Sequence, residues 1–243
     1  MRTLHIIMPM AGEGSRFLKE GWTIPKPLIK LRDIPLFKRA INSIPIFDIP
    51  VKHSFIVRQE HIDLYKIDST IKEFLPDANI FSVQNTTRGA VETCLLADSV
   101  IDKNDSIVIM DCDFEFISYS FLSIIREILS KSIDEVNGGV LVSFDSNKAR
   151  YSYAEIDESG FVKRTVEKEV ISNHALCGAY FFSSSESFLN AAHSLLKETN
   201  LDQSEFYVSL LYNILLKTGE VVRLVKVDKY CSYGTPEELN LYL

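Results

Sequence analysis

Thr3-Leu4-His5-Ile6-Ile7-Met8-Pro9-Met10 runs straight into Ala11-Gly12-Glu13-Gly14-Ser15-Arg16, and Pro25-Lys26-Pro27-Leu28 follows a short way on. An apolar run of this length reads as a strand with both faces buried. Where such a strand stops at a glycine turn, backbone N–H groups are presented at its tip. Glycine reaches the positive φ angles that aim successive N–H groups at one point, and a phosphate oxygen fits there. Arg16 and Lys26 would bring two fixed cations to the same place. The prolines beside Lys26 remove much of its backbone freedom. The combination suits a nucleoside triphosphate and a departing pyrophosphate. Taken alone, the glycine turn also reads as an ordinary tight turn. Its spacing is neither Gly-x-Gly-x-x-Gly nor Gly-x-x-x-x-Gly-Lys-Ser/Thr, so neither dinucleotide binding nor a P-loop is indicated.

Outward from this strand, apolar runs alternate with helix-period segments. Strands are expected over 3–10, 52–58, 79–84, 106–112 and 138–144, and helices over 35–47, 60–74, 89–100 and 118–131. In the third helix Ala90, Val91, Cys94, Leu95 and Ala97 fall near the 3.6-residue period. Such alternation predicts a Rossmann-like α/β fold: a mixed, mostly parallel sheet flanked by helices. From about residue 150 the strands shorten, to 152–157, 162–167 and 175–182, with Asp157-Glu158-Ser159-Gly160 as a hairpin turn. Helices over 184–197 and 204–218, a strand over 220–227 and a short helix from Pro236 behind a Thr235 cap complete the chain. No repeat or linker interrupts it. A single domain over 1–243 is expected, with a nucleotide-binding half at about 1–135 and an acceptor half at about 136–243. Ligands of open α/β sheets lie beyond the carboxyl ends of strands, and 12–16, 84–89 and 111–113 all follow expected strands.

Composition narrows the function. The chain has 243 residues, 46% of them hydrophobic, enough for one full core. A net charge of -7 argues against general nucleic-acid binding. Cys94, Cys112, Cys177 and Cys231 are scattered, without the spacing of a zinc site or disulfide framework; reduced thiols in a cytoplasm are expected. No apolar stretch approaches the ~20 residues of a membrane span, and the glycine loop stands where a signal peptide would carry its cleavage segment.

Three further groups carry chemistry. Asp111 and Asp113 close the apolar run Ser106–Met110. Residues two apart on a strand face the same way, so the pair reads either as a hard-oxygen site for Mg²⁺ or Mn²⁺, or as solvated helix caps. Gln84 follows a strand; its amide donates and accepts, so it suits a pyrimidine edge, and Gly89 lets backbone close on a base. A polar loop with Thr87 as helix cap is the plainer reading. Glu167-Lys168 ends a strand and, on pattern alone, reads as an exposed pair in the charged stretch Lys163–Glu169. Trp22, the only tryptophan, is expected to anchor its loop by apolar area, with a lid over substrate as the alternative.

Met8–Arg16 with Pro25-Lys26-Pro27 resembles the signature of the sugar nucleotidyltransferases, the nucleoside-diphosphate-sugar pyrophosphorylases. The resemblance continues in family order through Gln84–Ala90, Met110–Asp113, Gly160–Lys168, Ser172-Asn173, Gly178–Phe182 and Gly234–Glu237. It implies a nucleotidyltransferase fold, which is GT-A-like, and transfer of a nucleotide from a nucleoside triphosphate to a sugar 1-phosphate. By motif position Arg16 and Lys26 would be catalytic. Met10, Ala11, Gly12, Gly14, Ser15, Gln84, Gly89 and Asp111 would hold the nucleotide. Tyr153, Glu167, Lys168, Asn173 and Gly178 would hold the sugar phosphate, and Asp113 would hold Mg²⁺ as cofactor. Ala154 replaces a glycine that often follows the tyrosine. A larger departure lies at Ser232, where the family usually has a second metal aspartate; a hydroxyl is a poor ligand beside a carboxylate. Asp228 is one substitute. A metal held by Asp113, triphosphate and water is the favoured alternative, and lost activity is the third. Also open are cytidylyl transfer to a non-sugar phosphate, a GT-A-like glycosyltransferase and a nucleotide-binding regulator without turnover. Surface-polysaccharide biosynthesis is the implied setting. The base, the sugar and homo-oligomer formation are left open.

Overall fold

The computed structural model describes residues 2–46, 48–197 and 205–243. Its strands are β1 (Thr3–Met10), β2 (Lys30–Leu31), β3 (Ile34–Pro35), β4 (Val51–Arg58), β5 (Asn79–Val83), β6 (Asp105–Met110), β7 (Phe114–Ile117), β8 (Gly139–Asp145), β9 (Ser152–Ile156), β10 (Val162–Glu167), β11 (His174–Phe182), β12 (Val222–Lys226) and β13 (Lys229–Ser232). Its helices are α1 (Ser15–Lys19), α2 (Leu36–Asn42), α3 (Gln59–Tyr65), α4 (Ile67–Phe74), α5 (Ala90–Cys94), α6 (Tyr119–Ser130), α7 (Ser185–Lys197), α8 (Leu211–Lys217) and α9 (Pro236–Asn240).

The main sheet runs β5-β4-β1-β6-β11-β8-β12, parallel except for β11, and the β9–β10 hairpin joins the first part of β11. Alternation along β1 explains the layers. Leu4, Ile6, Met8 and Met10 face Phe37, Ile41, Ile71, Phe121 and Ile125 on one side. Ile7 faces Val91, Phe188, Leu211 and Leu215 on the other. With helices on both faces the strand reads as a nearly continuous apolar run, and its one buried histidine, His5, is hydrogen-bonded to Ser54 at 2.8 Å. This is the single α/β domain that the alternation predicts.

β11 changes neighbours at Gly178. Before it, Ala175 lies opposite Tyr153 of β9; after it, Ala179–Phe182 lie opposite Met110–Ile107 of β6. Gly178 has φ 97°, and a Cβ there would stand 2.8 Å from Asp111 Oδ2 and 3.0 Å from the Phe114 ring. Glycine is needed for the bend and for the space beside Asp111. Gly178→Ala is expected to cost about 1–3 kcal/mol of stability through backbone strain, read by urea denaturation; an unchanged midpoint would show that β11 relaxes around the methyl group.

Elements depart from expectation where local pattern competes with packing. The helix expected over 60–74 is two, α3 and α4, broken at Lys66 in the left-handed region with φ 53°. The helix expected over 89–100 is α5 followed by a tighter turn, Leu95–Val100. Position 47 of the helix expected over 35–47 and position 204 of the helix expected over 204–218 lie outside the described residues; the latter segment becomes helical only from Val208. The strand expected over 106–112 stops at Met110, which leaves Asp111 and Asp113 on the loop beyond it. The β2–β3 and β7–β13 pairs were not expected. β13 runs antiparallel to β7 with Ser232 opposite Phe114, which brings the end of the chain to the carboxyl edge of the sheet. Thr235 caps α9, accepting from Glu238 N–H at 3.3 Å.

Candidate active site

β1 delivers its loop at this carboxyl edge. Gly14, with φ 65°, starts α1, and Phe17 anchors that helix in a small cluster with Leu31, Leu36, Tyr233 and Leu239. Trp22 packs edge-on against Phe17, centroids 5.6 Å apart, and so ties the loop to the body as expected. The Pro25-Lys26-Pro27 segment makes one tight turn, and Lys26 Nζ donates to Asp113 Oδ2 at 2.8 Å. Burial alone would lower the Lys26 pKa; the Asp113 carboxylate outweighs it and drives the net shift upward. Asp111, whose N–H donates to Gly178 O at 3.0 Å, sits half-buried behind Asp113. Burial, then the neighbouring Asp113 charge, push its carboxyl up to about 7.

Two cavities meet here. One, of ≈ 460 Å³, is lined by Met10, Ala11, Gly12, Gly14, Lys26 and Gly89 together with Thr86 and Thr87. The other, of ≈ 240 Å³, is lined by Tyr151, Ser152, Glu167, Gly178, Tyr230 and Glu238. Arg16, Asp111, Asp113 and Lys168 line both. A group held in one cavity therefore meets a group held in the other at these four charged side chains.

The second cavity is organised around β9 and β10. Ser152 and Ser209 hydroxyls both donate to Glu167 Oε1. Lys168 has φ 56°, and its N–H donates to Tyr151 O at 3.1 Å. Its ammonium bonds the Tyr207 hydroxyl and lies 4.7 Å above that ring; the hydrogen bond raises the lysine pKa. Gly89 is pinned from the same segment: with φ 141°, its absent Cβ would stand 2.5 Å from Phe206 N.

Five of the sequence-derived residues line neither cavity. Ser15 and Gln84 are exposed, and Thr86 and Thr87 take the wall where Gln84 was expected. Asn173 is exposed too. Tyr153 is fully buried within the sheet, its hydroxyl donating to Lys148 O at 2.9 Å. Asp228 accepts from Tyr119 N–H, at the start of α6, at 2.8 Å. Sequence reasoning missed Arg150, Tyr151 and Glu238. Two residues apart in sequence, Tyr151 and Tyr153 read alike by alternation; Tyr153 pairs with Ala175 inside the sheet, whereas Tyr151 lies just before β9.

The donors fit a small hard cation. Among the described residues no group of three or more His, Cys, Asp or Glu side chains could hold a metal alone. Mg²⁺ asks for less, because it binds through one or two carboxylates and completes its shell with phosphate oxygens and water. Lys26 Nζ on Asp113 Oδ2 marks the spot where positive charge is already accommodated.

The glycine loop, the Asp111–Asp113 carboxylates and the two adjoining cavities all lie at the carboxyl edge of a mostly parallel sheet. The nucleotidyl transferase family profile matches residues 5–230, and the chain belongs to that family. No curated protein is detectably similar in sequence. Among solved structures it is similar to the nucleoside-diphosphate-sugar pyrophosphorylase from Vibrio cholerae RC9, at 25% identity and a TM-score of 0.82 over 98% of this chain and 99% of that one. A putative glucose-1-phosphate thymidylyltransferase from Bacillus anthracis shares the fold at 20% identity and a TM-score of 0.76, covering 99% and 93%. The inositol-1-phosphate CTP transferase from T. maritima does so at 13% identity and 0.74, covering 100% and 94%. No described helix is long and apolar enough to cross a membrane.

Proposed function

We propose that the protein is a sugar-1-phosphate nucleotidyltransferase, which joins a nucleoside triphosphate to a sugar 1-phosphate and releases pyrophosphate. The observation that carries this reading is the shared wall of the two cavities. The larger one, under the β1 loop, suits the nucleoside triphosphate; the other suits the sugar phosphate. An acceptor oxygen would attack the α-phosphorus in line, and pyrophosphate would leave on the opposite side. Such a reaction needs positioning and charge stabilisation rather than a covalent nucleophile.

Arg16 and the β1-loop N–H groups hold the triphosphate. Lys26 turns from Asp113 toward the leaving phosphates. Asp113 would hold Mg²⁺, which would supply neutralisation of developing phosphate charge when bound. Lys168 holds the acceptor phosphate, and Glu167, locked by Ser152 and Ser209, orients sugar hydroxyls. The division into a nucleotide half and an acceptor half follows these assignments. Four buried, unpaired cysteines favour a reducing compartment, and we place the protein in the cytoplasm.

Phosphorus NMR of the reaction mixture tests the reading. It predicts paired diphosphate doublets of a sugar-linked nucleotide, formed one for one with pyrophosphate. A mixture that yields only nucleoside monophosphate would count against it. Lys168→Ala is expected to lower kcat/KM for the acceptor roughly tenfold or more, the size of a lost hydrogen bond to a charged group, while KM for nucleotide stays near the parent value. Steady-state kinetics with each substrate varied separately would check this.

A further inference from the structure

Gly234 marks a small space between two carboxylates. A Cβ built there would lie 3.2 Å from Asp113 Oδ2 and 3.5 Å from Glu238 Oε2. Both oxygens therefore look onto one spot that any side chain at 234 would crowd. Asp113 comes from the end of the sheet and Glu238 from the first turn of α9. The β7–β13 pairing joins them, with Tyr233 N–H donating to Asp113 O at 2.8 Å.

Glu238 is held firmly in this position. Ser232 Oγ donates to Oε2 at 2.8 Å. Arg150 and the Tyr151 hydroxyl bond the other oxygen, Oε1, the tyrosine at 3.2 Å. The guanidinium balances the carboxylate charge and anchors Oε1, so that Oε2 is the atom left facing Asp113. Its side chain is 17% exposed, on the wall of the acceptor cavity. Lys26 Nζ, 2.8 Å from Asp113 Oδ2, shows that this side of the cleft seats a cation.

We propose that Glu238, aimed by Ser232, is the second protein carboxylate for the divalent cation at Asp113. Residue 232, at the end of β13, would then act as a hydrogen-bond donor that fixes the ligand on α9, instead of being a ligand itself. Two carboxylates with phosphate oxygens and water meet the needs of Mg²⁺. The assignment rests on the nucleotidyl-transfer reading.

Mn²⁺ is the probe, its free-ion signal followed by electron paramagnetic resonance, in mixtures with UTP, dTTP or CTP. Glu238→Gln is expected to weaken Mn²⁺ binding roughly tenfold to a hundredfold. The double variant Ser232→Asp/Glu238→Gln is expected to regain most of the loss, because it restores a carboxylate beside Asp113. Ser232→Ala leaves the carboxylate in place and frees Oε2; a severalfold weaker Mn²⁺ affinity is expected, which keeps the test alive if Glu238→Gln fails to fold. Parent-like Mn²⁺ affinity in Glu238→Gln overturns the proposal, as does a parent protein that holds no Mn²⁺ in any mixture. Pyrophosphate release by the parent reports separately on the reaction. Mn²⁺ binding that depends on Glu238 without any release would sink the transferase reading and leave the ligand assignment standing.

Discussion

Lys26→Ala is expected to lower pyrophosphate release roughly 10²–10³-fold, the usual loss when one preorganised charge or donor at the reacting centre is removed. Lys26 is the fixed cation closest to Asp113, at 2.8 Å, and two prolines hold its backbone. The pairing keeps it in the cleft, and on the proposed reading it would move to phosphate once Asp113 held a metal. Its removal has a second consequence. Asp111 and Asp113 would face each other without the intervening ammonium, and Asp111 already has a raised pKa through burial and that neighbour. The variant should therefore melt lower than the parent in EDTA and recover part of the difference in Mg²⁺. Since Lys26 lies in a loop turn and not in the core, the circular dichroism spectrum should be unchanged. Parent-like turnover in this variant would remove the lysine from the mechanism.

Asp113→Asn is expected to have an effect of similar or greater size, roughly 10³-fold on turnover, because charge neutralisation by a bound metal is worth several kcal/mol. The amide keeps the shape of the side chain and still offers an oxygen to Lys26. What it removes is the negative charge that draws a divalent cation. The variant should need far more Mg²⁺ for half-maximal rate, and raising Mg²⁺ should recover only part of the loss. Its stability without metal should fall, since Lys26 loses its one ion-pair partner among the described residues, an effect offset only in part by the lost repulsion with Asp111. A parent-like Mg²⁺ dependence would show that the cation does not sit on Asp113.

The elements that frame the site were legible where one physical rule dominated. β1 was readable to its last residue because a strand covered by helices on both faces reads as a nearly continuous apolar run. α9 was readable from its cap, Thr235, which accepts from the N–H three residues on. Pairing over long sequence separations was not readable. β7 and β13 are four residues each, too short to announce their pairing, yet they place Ser232 and Gly234 beside Asp113. The same blindness made Asp228 plausible from chain proximity, whereas its carboxylate is committed to the start of α6. Lys66 gives no warning of a helix break, because a lysine in the left-handed region is held there by its surroundings and not by its own preference. The charged pair Glu167-Lys168 looked like solvated surface. Only the fold shows that two serines and a tyrosine collect it at a cavity wall.

The central claim is that the two cavities hold two substrates whose phosphates meet at Arg16, Asp113 and Lys168. It is tested most directly by pyrophosphate release from the purified protein with Mg²⁺. UTP, dTTP, CTP, GTP and ATP would be crossed with a panel of sugar 1-phosphates and with phosphocholine and inositol 1-phosphate. The account predicts release that requires both members of one particular pair, with a sugar 1-phosphate as acceptor. Release with a non-sugar phosphate alone would keep the nucleotidyl transfer and correct the acceptor. Calorimetric binding of a nucleotide with no release from any pair would contradict the account.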